Sequence, residues 1–275
     1  MPGSAAGAAR RARAARPTDP TEPMDLLVVS LASFLAGLVD SIVGGGGLIL
    51  VPALFAVYPN AAPATLFGTN KSASVWGTLM AAAQYARRVR IDRAVMLPAM
   101  AAALAGAFLG AWAVTRVQAG FLRALLPFIL LAVLLYTLAR KRLGEVHAPR
   151  HERGRARAIA CAIGGAVGLY DGFFGPGTGS FFIFLLVRFL GYDFLNASAC
   201  AKLLNVATNA AALLLFGIKG HVWWQLGAAM AVANVVGSLI GSRLALRHGA
   251  GFVRGVFVVV VGALIVKTGR DAFFG

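Results

Sequence analysis

The chain has 275 residues, of which 59% are hydrophobic and only 13% are charged. This composition leaves little room for a soluble domain and is typical of a polytopic helical membrane protein. The formal net charge of +16 could suggest nucleic acid, but the basic residues stand in short segments between apolar runs. Such segments set membrane topology, so we expect the lipid bilayer, and not nucleic acid, as the partner.

The chain begins with a basic segment, residues 1–23, that is rich in alanine, arginine and proline. We predict a disordered tail held at the cytoplasmic face. The adjacent arginines Arg10 and Arg11 could suggest a twin-arginine signal. A long, broken apolar run follows, however, in place of a short apolar region with a small-residue cleavage site, so we expect no cleavage.

About eight apolar units follow the tail, each near the length that spans about 30 Å of hydrocarbon. The fold class that we predict is therefore an all-α polytopic membrane protein. The units run over residues 26–57, 64–86, 94–115, 121–139, 157–190, 195–217, 222–243 and 252–270. The first and fifth units are too long for one straight helix, and their glycines are expected to divide each into a longer and a shorter segment.

The chain also repeats itself. A motif at residues 37–47, in which Asp40 precedes a glycine run, recurs 131 positions later around Asp171. The same offset aligns Lys71 with Lys202, Gly106 with Gly237, Gly110 with Gly241, Arg116 with Arg247 and Arg123 with Arg254. Matches at charged residues are hard to obtain by chance in so apolar a chain. We predict two homologous four-unit repeats, 24–141 and 157–275, each opening with a glycine-broken helix and joined by a basic cytoplasmic linker, 142–156. The glycine pairs have GxxxG spacing and should allow close helix packing.

Two topologies are compatible with these units. If the glycine-broken unit crosses the membrane, each half has four crossings and the halves are parallel; if it re-enters, each half has three and the halves are inverted. With the N-terminus inside, the four-crossing arrangement places most lysines and arginines in the cytoplasm, including those of residues 140–157. The positive-inside rule therefore favours four plus four crossings in the cell inner membrane, with both termini cytoplasmic.

The glycine run predicts a binding site. Each glycine within a helix costs about 1 kcal/mol relative to alanine, and a carboxylate such as Asp40 costs about 2.5–3.5 kcal/mol at the bilayer centre. Irregular backbone at membrane depth is tolerated only where protein buries it or a cavity hydrates it. The candidate site residues of the two runs are Gly44, Gly45, Gly46, Gly47, Gly175 and Gly177.

Polar side chains also mark the helix that follows each run. The first-half helix carries Thr69, Asn70 and Lys71, and the second-half helix carries Lys202 and Asn205. Either lysine could be a snorkelling residue near a membrane boundary, but a snorkelling lysine needs no neighbouring hydroxyls and amides. Together with the positively polarised N–H groups of short helices, these residues predict a small anion as the ligand.

The two aspartates oppose an anion unless they do other work. Asp40 and Asp171 could pair with the lysines, cap the broken segments or exchange a coupling proton. A buried carboxylate with a raised pKa suits proton exchange, and pairing is the structural alternative.

The sequence contains no apparatus for catalysis or for metal binding. It has no nucleophile–base signature, Walker motif or zinc-ligand pattern, and its histidines lack ligand spacing. We therefore predict a protein that is not an enzyme and that holds neither a cofactor nor a metal.

The glycine motif, with Pro52 after it and Gly68-Thr69-Asn70-Lys71 further on, resembles the TauE/SafE family of sulfite exporters and anion permeases. The likeness covers about residues 25–272. It implies a secondary transporter of small sulfur-containing oxyanions, such as sulfite or organosulfonates, with its first-half site at the glycine run and Thr69–Lys71. An anion channel, or a membrane scaffold subunit without coupled transport, is the alternative.

The second half departs from this pattern. Pro176 and Thr178 interrupt the second glycine run, and Cys200 and Ala201 stand where the first half has Thr69 and Asn70. The two half-sites are therefore expected to be unequal, with Lys71 contributing more to binding than Lys202.

Overall fold

The computed structural model describes residues 22–114 and 147–273, and all regular structure within them is helical. The helices are α1 (Pro23–Val43), α2 (Gly47–Val57), α3 (Pro63–Ala86), α4 (Arg93–Val114), α5 (Arg153–Phe173), α6 (Thr178–Leu185), α7 (Phe194–Ile218) and α8 (Trp224–Phe273). A π-helical turn, Leu186–Leu190, continues α6, and α8 is interrupted by non-helical backbone at Gly249. The predicted unit 121–139 lies outside the described residues.

Glycine divides both long units, as predicted. Helix α1 ends after 21 residues at Gly44, whose φ of 78° is in the left-handed region that glycine adopts without steric penalty. The chain turns there and begins the 11-residue helix α2. In the second half the break between α5 and α6 contains Gly175 and Gly177, which also have positive φ.

Within the described ranges, four helical spans are long and apolar enough to cross a membrane: Pro23–Val43, Arg93–Val114, Phe194–Ile218 and Trp224–Val260. The most apolar 18-residue stretch of α7 is 72% buried, so α7 is the central helix of the bundle. The other three leave large apolar side chains exposed, among them Leu27, Leu109 and Val232. Apolar side chains exposed on several helices are what a bilayer-facing surface requires.

Helices α1, α3 and the first part of α8 begin at one end of the bundle. Along α8, Met230 accepts a hydrogen bond from Ser33 and Ser238 donates one to Gly37, so α8 runs parallel to α1. The hydroxyl of Tyr85, near the end of α3, donates to the carbonyl of Ser41, near the end of α1. We call the end where α1 begins the Pro23 end.

Helix α5 begins at the opposite end. Arg153, its first residue, forms a 3.1 Å ion pair with Asp92, which lies in the loop after α3. We call this the Arg153 end. Helix α7 also begins there and runs antiparallel to α3: Asn209 bonds to Thr78 at 3.4 Å, and Phe216, near the end of α7, lies against the start of α3.

Each glycine-broken unit returns to the end from which it started. In the second half, Ala148 N donates to Gly191 O and Arg150 N to Leu190 O, which joins the residues before α5 to the residues after α6. In the first half, Tyr58 at the end of α2 stacks edge-on against Trp223, which precedes α8 at the Pro23 end. Both units are therefore helical hairpins.

This geometry corrects the predicted topology. Because the broken units return, they do not make the extra crossing of the four-plus-four arrangement, and the two halves start from opposite ends. Pro23, which follows the basic tail, and Arg153, which follows the basic linker, consequently lie at opposite ends of the bundle. The predicted four-plus-four arrangement needs Pro23 and Arg153 at the same end, which the described helices do not provide. The four arginines of the tail had been counted on the cytoplasmic side, which favoured the arrangement with parallel halves.

The GxxxG glycines pack the first helix of each hairpin against the opposite half, as predicted. A Cβ atom on Gly106 in α4 would collide with the Gly165 carbonyl of α5. A Cβ atom on Gly237 in α8 would collide in the same way with the Phe34 carbonyl of α1. Gly165 and Phe34 are themselves related by the 131-residue offset. Each half therefore packs closely against the hairpin of the other half.

Candidate functional site

The two glycine breaks lie directly against each other inside the bundle. Ser180 at the start of α6 donates its backbone N–H to Gly44 O at 3.0 Å and its hydroxyl to Val43 O at 2.9 Å. The backbones of Gly44 and Gly179 are so close that neither position could carry a Cβ atom. The unpaired backbone of one break is thus partly satisfied by the other.

Two reciprocal ion pairs connect the halves at these breaks. Lys71 Nζ of the first half lies 2.7 Å from Asp171 Oδ2 of the second. Lys202 Nζ of the second half lies 2.9 Å from Asp40 Oδ2 of the first. The two lysines, like the two aspartates, are separated by 131 positions, so these are equivalent pairs exchanged between the halves. Pairing is one of the roles predicted for the aspartates, and both distances are those of an ion pair.

The Lys71–Asp171 pair is tightly enclosed. Lys71 also donates to Asn209 Oδ1 at 3.0 Å, and the Thr178 hydroxyl donates to Asp171 Oδ1 at 2.8 Å. The side chains of Lys71 and Asp171 are 6% and 4% exposed. An ammonium has three donors, and two of those of Lys71 are used by these contacts, which leaves one for a ligand.

The Lys202–Asp40 pair has a different environment. Lys202 is completely buried and donates to the backbone carbonyl of Asp40 as well as to its carboxylate. The Asp40 side chain is 20% exposed, and its second oxygen, Oδ1, lies 3.4 Å from the backbone N of Gly46. Lys202 thereby binds the carboxyl end of α1. The partly exposed carboxylate of Asp40 still faces the space beside the glycine break between α1 and α2.

A cavity of about 40 Å³ lies between the breaks. Since one water molecule needs about 10–15 Å³, the cavity has room for a few waters or one small anion. Its wall combines both aspartates, Lys71, glycine backbone and amide or hydroxyl side chains. The lining residues are Ala36, Asp40, Gly44, Gly46, Gly47, Asn70, Lys71, Ser74, Thr78, Asp171, Gly175, Gly177, Thr178, Gly179, Asn205, Asn209 and Asn234.

Two asparagines point to a ligand in this cavity. Asn70 and Asn205 are each only 5% exposed, and their side-chain oxygens have no hydrogen-bond partner. Buried amides are almost always satisfied in native proteins, so an unpaired amide oxygen that lines a cavity calls for a hydrogen-bond donor inside it, such as water or a protonated ligand. Both residues belong to the predicted site.

Most of the predicted site residues do meet at this cavity. Those that line it are Asp40, Gly44, Gly46, Gly47, Asn70, Lys71, Asp171, Gly175, Gly177 and Asn205. Those that do not are Gly45, Thr69 and Lys202. Thr69 is engaged elsewhere: its hydroxyl donates to Thr65 O and accepts from Trp223 N.

The sequence-based prediction missed several lining side chains. Asn209 and Thr178 hold the Lys71–Asp171 pair, and Asn234 donates to the Ser33 carbonyl at 2.9 Å. A signal existed for one of them, because the 131-residue offset aligns Thr78 with Asn209. Over the described ranges, no group of three histidine, cysteine or acidic side chains is placed to hold a metal ion.

Comparison with known proteins matches the chain to a family of membrane transporters. Residues 29–268 match the family described as sulfite exporter TauE/SafE. The chain is 38% identical over 247 residues to the probable membrane transporter protein ORF9 of a Sinorhizobium species, covering 90% of this chain and 93% of the relative. It is 38% identical over 245 residues to the probable membrane transporter protein YfcA of Escherichia coli K12, covering 89% and 90%.

A probable membrane transporter protein of Haemophilus influenzae is 31% identical over 246 residues, covering 90% of this chain and 95% of the relative. No solved structure gives a significant match.

Proposed function

The chain belongs to the sulfite exporter TauE/SafE family, and we propose on this premise that it is a secondary transporter of small sulfur-containing oxyanions, such as sulfite or organosulfonates. The single observation that carries this proposal is the ammonium of Lys71, which lines the central cavity and uses two of its three donors on Asp171 and Asn209. An oxyanion would accept a hydrogen bond from the third donor.

The size of the cavity supports a small substrate. A volume of about 40 Å³ suits a sulfite or sulfonate group and is far too small for a nucleotide. Glycine lines the cavity at Gly44, Gly46, Gly175 and Gly177, where no side chain reduces its volume. In this proposal the residues of the glycine breaks, with Asn70, Lys71 and Asn205, form the substrate site.

The arrangement of the halves supports alternating access as the transport mechanism. We propose two homologous four-unit repeats inserted in opposite directions, each contributing a hairpin and three further units. Transporters built from inverted repeats bind substrate where their broken helices meet, and rock one repeat against the other. The exchanged ion pairs lie on that boundary.

The distribution of arginine supports one orientation in the inner membrane. The arginines whose side chains the structure describes lie toward the Arg153 end: Arg87, Arg88, Arg90, Arg93, Arg150, Arg153, Arg155, Arg157, Arg188, Arg243, Arg247 and Arg254. We propose that this end faces the cytoplasm and that Pro23 faces outward.

Labelling of single cysteines tests this orientation. In a background in which Cys161 and Cys200 are alanine, an impermeant maleimide should label Asn60→Cys in intact cells and Arg155→Cys only after permeabilisation. Asn60 is exposed in the loop between α2 and α3, and Arg155 is exposed near the start of α5. The reverse pattern would contradict the orientation, and labelling of both positions from one side would contradict the inverted halves.

An uptake assay in proteoliposomes tests the function. Purified protein would be offered sulfite, sulfate, thiosulfate, taurine and sulfoacetate, with empty liposomes as the control. A transporter should give saturable uptake of at least one of these anions that responds to a proton gradient. Flux that does not saturate would indicate a channel, and no flux for any anion would favour a scaffold subunit.

A further inference from the structure

The charged side chains around the central cavity have no net charge when no anion is bound. Of the described residues, two lysines and two aspartates meet there, as the pairs Lys71–Asp171 and Lys202–Asp40. A monoanion would add one uncompensated negative charge to a buried site, which is strongly unfavourable. A proton taken up by one of the two carboxylates would restore neutrality.

The two carboxylates are not equally suited to take up that proton. Both oxygens of Asp171 have close polar neighbours, Lys71 Nζ at 2.7 Å and the Thr178 hydroxyl at 2.8 Å, and its side chain is 4% exposed. The Thr178 hydroxyl also lies 2.6 Å from Gly175 O. Asp40 Oδ1 has only the 3.4 Å contact with Gly46 N, and its side chain is 20% exposed. Asp40 therefore has an oxygen that a proton can reach.

Protonation of the Asp40 carboxylate would still leave Lys202 with a hydrogen-bond acceptor. Lys202 also donates to the backbone carbonyl of Asp40, and this hydrogen bond survives when the carboxylate becomes neutral. Lys71 would likewise keep one neutral acceptor, Asn209 Oδ1, if Asp171 were protonated. The two carboxylates are therefore distinguished by the greater exposure of Asp40 and by its weakly bonded Oδ1.

The groups that face Asp40 come from every helix that packs around it. Lys202 of α7 is its direct partner. Lys71 of α3 and Asp171 of α5 share its cavity, and the Tyr85 phenol of α3 bonds to the neighbouring Ser41 carbonyl. The remaining neighbours are neutral: Gly46 before α2, Thr178 of α6 and Asn234 of α8.

We propose that Asp40 binds one proton for each monoanion that enters the cavity, so that proton and anion are carried together without net charge. This rests on the proposed function, because it requires that the cavity bind an anion. Negative charge on Asp40 repels the anion, so binding should weaken as the pH rises and Asp40 gives up its proton. Where one proton is taken up for each anion bound, the apparent affinity should fall about tenfold for each pH unit.

The first experiment uses the unaltered protein and needs no variant. Methanesulfonate is the probe beside sulfite, because methanesulfonate remains a monoanion throughout the accessible pH range. Adding methanesulfonate to the purified protein in weakly buffered detergent solution should raise the pH of the solution, because the protein should take up about one proton for each anion that it binds. Binding without any proton uptake would overturn the proposal.

The second experiment assigns the proton. In proteoliposomes, Asp40→Asn should exchange labelled methanesulfonate across the membrane with a pH-independent affinity, and should lose accumulation driven by a proton gradient. Asp171→Asn should keep the pH dependence, even if its affinity is lower. Asp92→Asn, at the exposed ion pair with Arg153, is the control and should behave as the unaltered protein.

The outcomes separate the two proposals. If the unaltered protein binds neither methanesulfonate nor sulfite saturably, the anion site itself is wrong and the proton assignment falls with it. If it binds them but Asp40→Asn keeps the tenfold dependence, or Asp171→Asn loses it, the assignment to Asp40 is wrong while the transporter stands.

Discussion

The two half-sites are built from equivalent residues that have different surroundings. Lys71 faces the cavity and is shared between Asp171 and Asn209, whereas Lys202 is fully buried and bonds twice to Asp40. Conversely, Asp40 is the more exposed aspartate. The two lysines therefore have different surroundings: Lys71 lines the cavity, whereas Lys202 binds the carboxyl end of α1.

The largest effect that we predict concerns the close packing of glycine against a hairpin helix, which both halves share. Gly106→Leu and Gly237→Leu should each prevent normal folding, because each places a side chain against the backbone of a hairpin helix in the other half. Overpacking typically costs about 1–3 kcal/mol and more where backbone must move. The yield of monodisperse protein in detergent is the measurement.

Gly255→Leu is the matched control, since no atom of the described residues would lie within 4 Å of a Cβ atom on Gly255. This variant should give the normal yield. If Gly106→Leu or Gly237→Leu folds normally and changes substrate choice, those glycines line the transport pathway and do not serve as packing contacts.

The next prediction concerns the buried lysine. Lys202→Met should lower the free energy of unfolding by about 3–5 kcal/mol, the usual cost of removing one partner of a buried ion pair. It leaves the Asp40 carboxylate without its cation. Adding Asp40→Asn removes that orphan charge and should restore most of the lost thermal stability, as measured by Tm. Failure of this rescue would show that Lys202 does more than hold Asp40.

The lysine at the cavity should instead affect binding. Lys71→Met combined with Asp171→Asn removes the pair without leaving an orphan charge, so the protein should fold. Losing one charge-assisted hydrogen bond costs about 1.5–3 kcal/mol, which corresponds to roughly ten- to a hundredfold weaker binding of sulfite. The exposed variant Arg87→Met is the control. Unchanged affinity in the double variant would place the anion away from Lys71.

The local features of the site could be predicted from the sequence, but the direction of the helices could not. Glycine and aspartate are costly in a membrane, so the run at 44–47 and Asp40 marked the breaks directly. Hydropathy has the same value whether a broken unit crosses or returns, and the arginines at the start of the chain favoured the wrong choice. Only the packing of Tyr58 against Trp223 and of Ala148 against Gly191 reveals the hairpins.

The partners of the site residues depend on how the two halves meet. A two-fold relation between them brings Lys71 to Asp171 and Lys202 to Asp40. Thr178 and Asn209 had the appearance of ordinary polar residues in sequence. They acquire roles only because the opposite half presents Lys71 between them.

The smallest effect that we predict concerns the start of the helix after each hairpin. Asp193 caps α7 by accepting the backbone N–H of Asn196 at 2.6 Å, whereas its equivalent, Ala62, leaves the start of α3 without a side-chain cap. Replacing a capping residue by alanine costs about 0.5–2 kcal/mol. Asp193→Ala should therefore lower Tm slightly, and Ala62→Asp, at an exposed position with extended backbone, should raise it. Thermal unfolding in detergent measures both variants. A loss of Tm in Ala62→Asp would mean that the Pro63 start of α3 differs from the start of α7 in more than its missing cap.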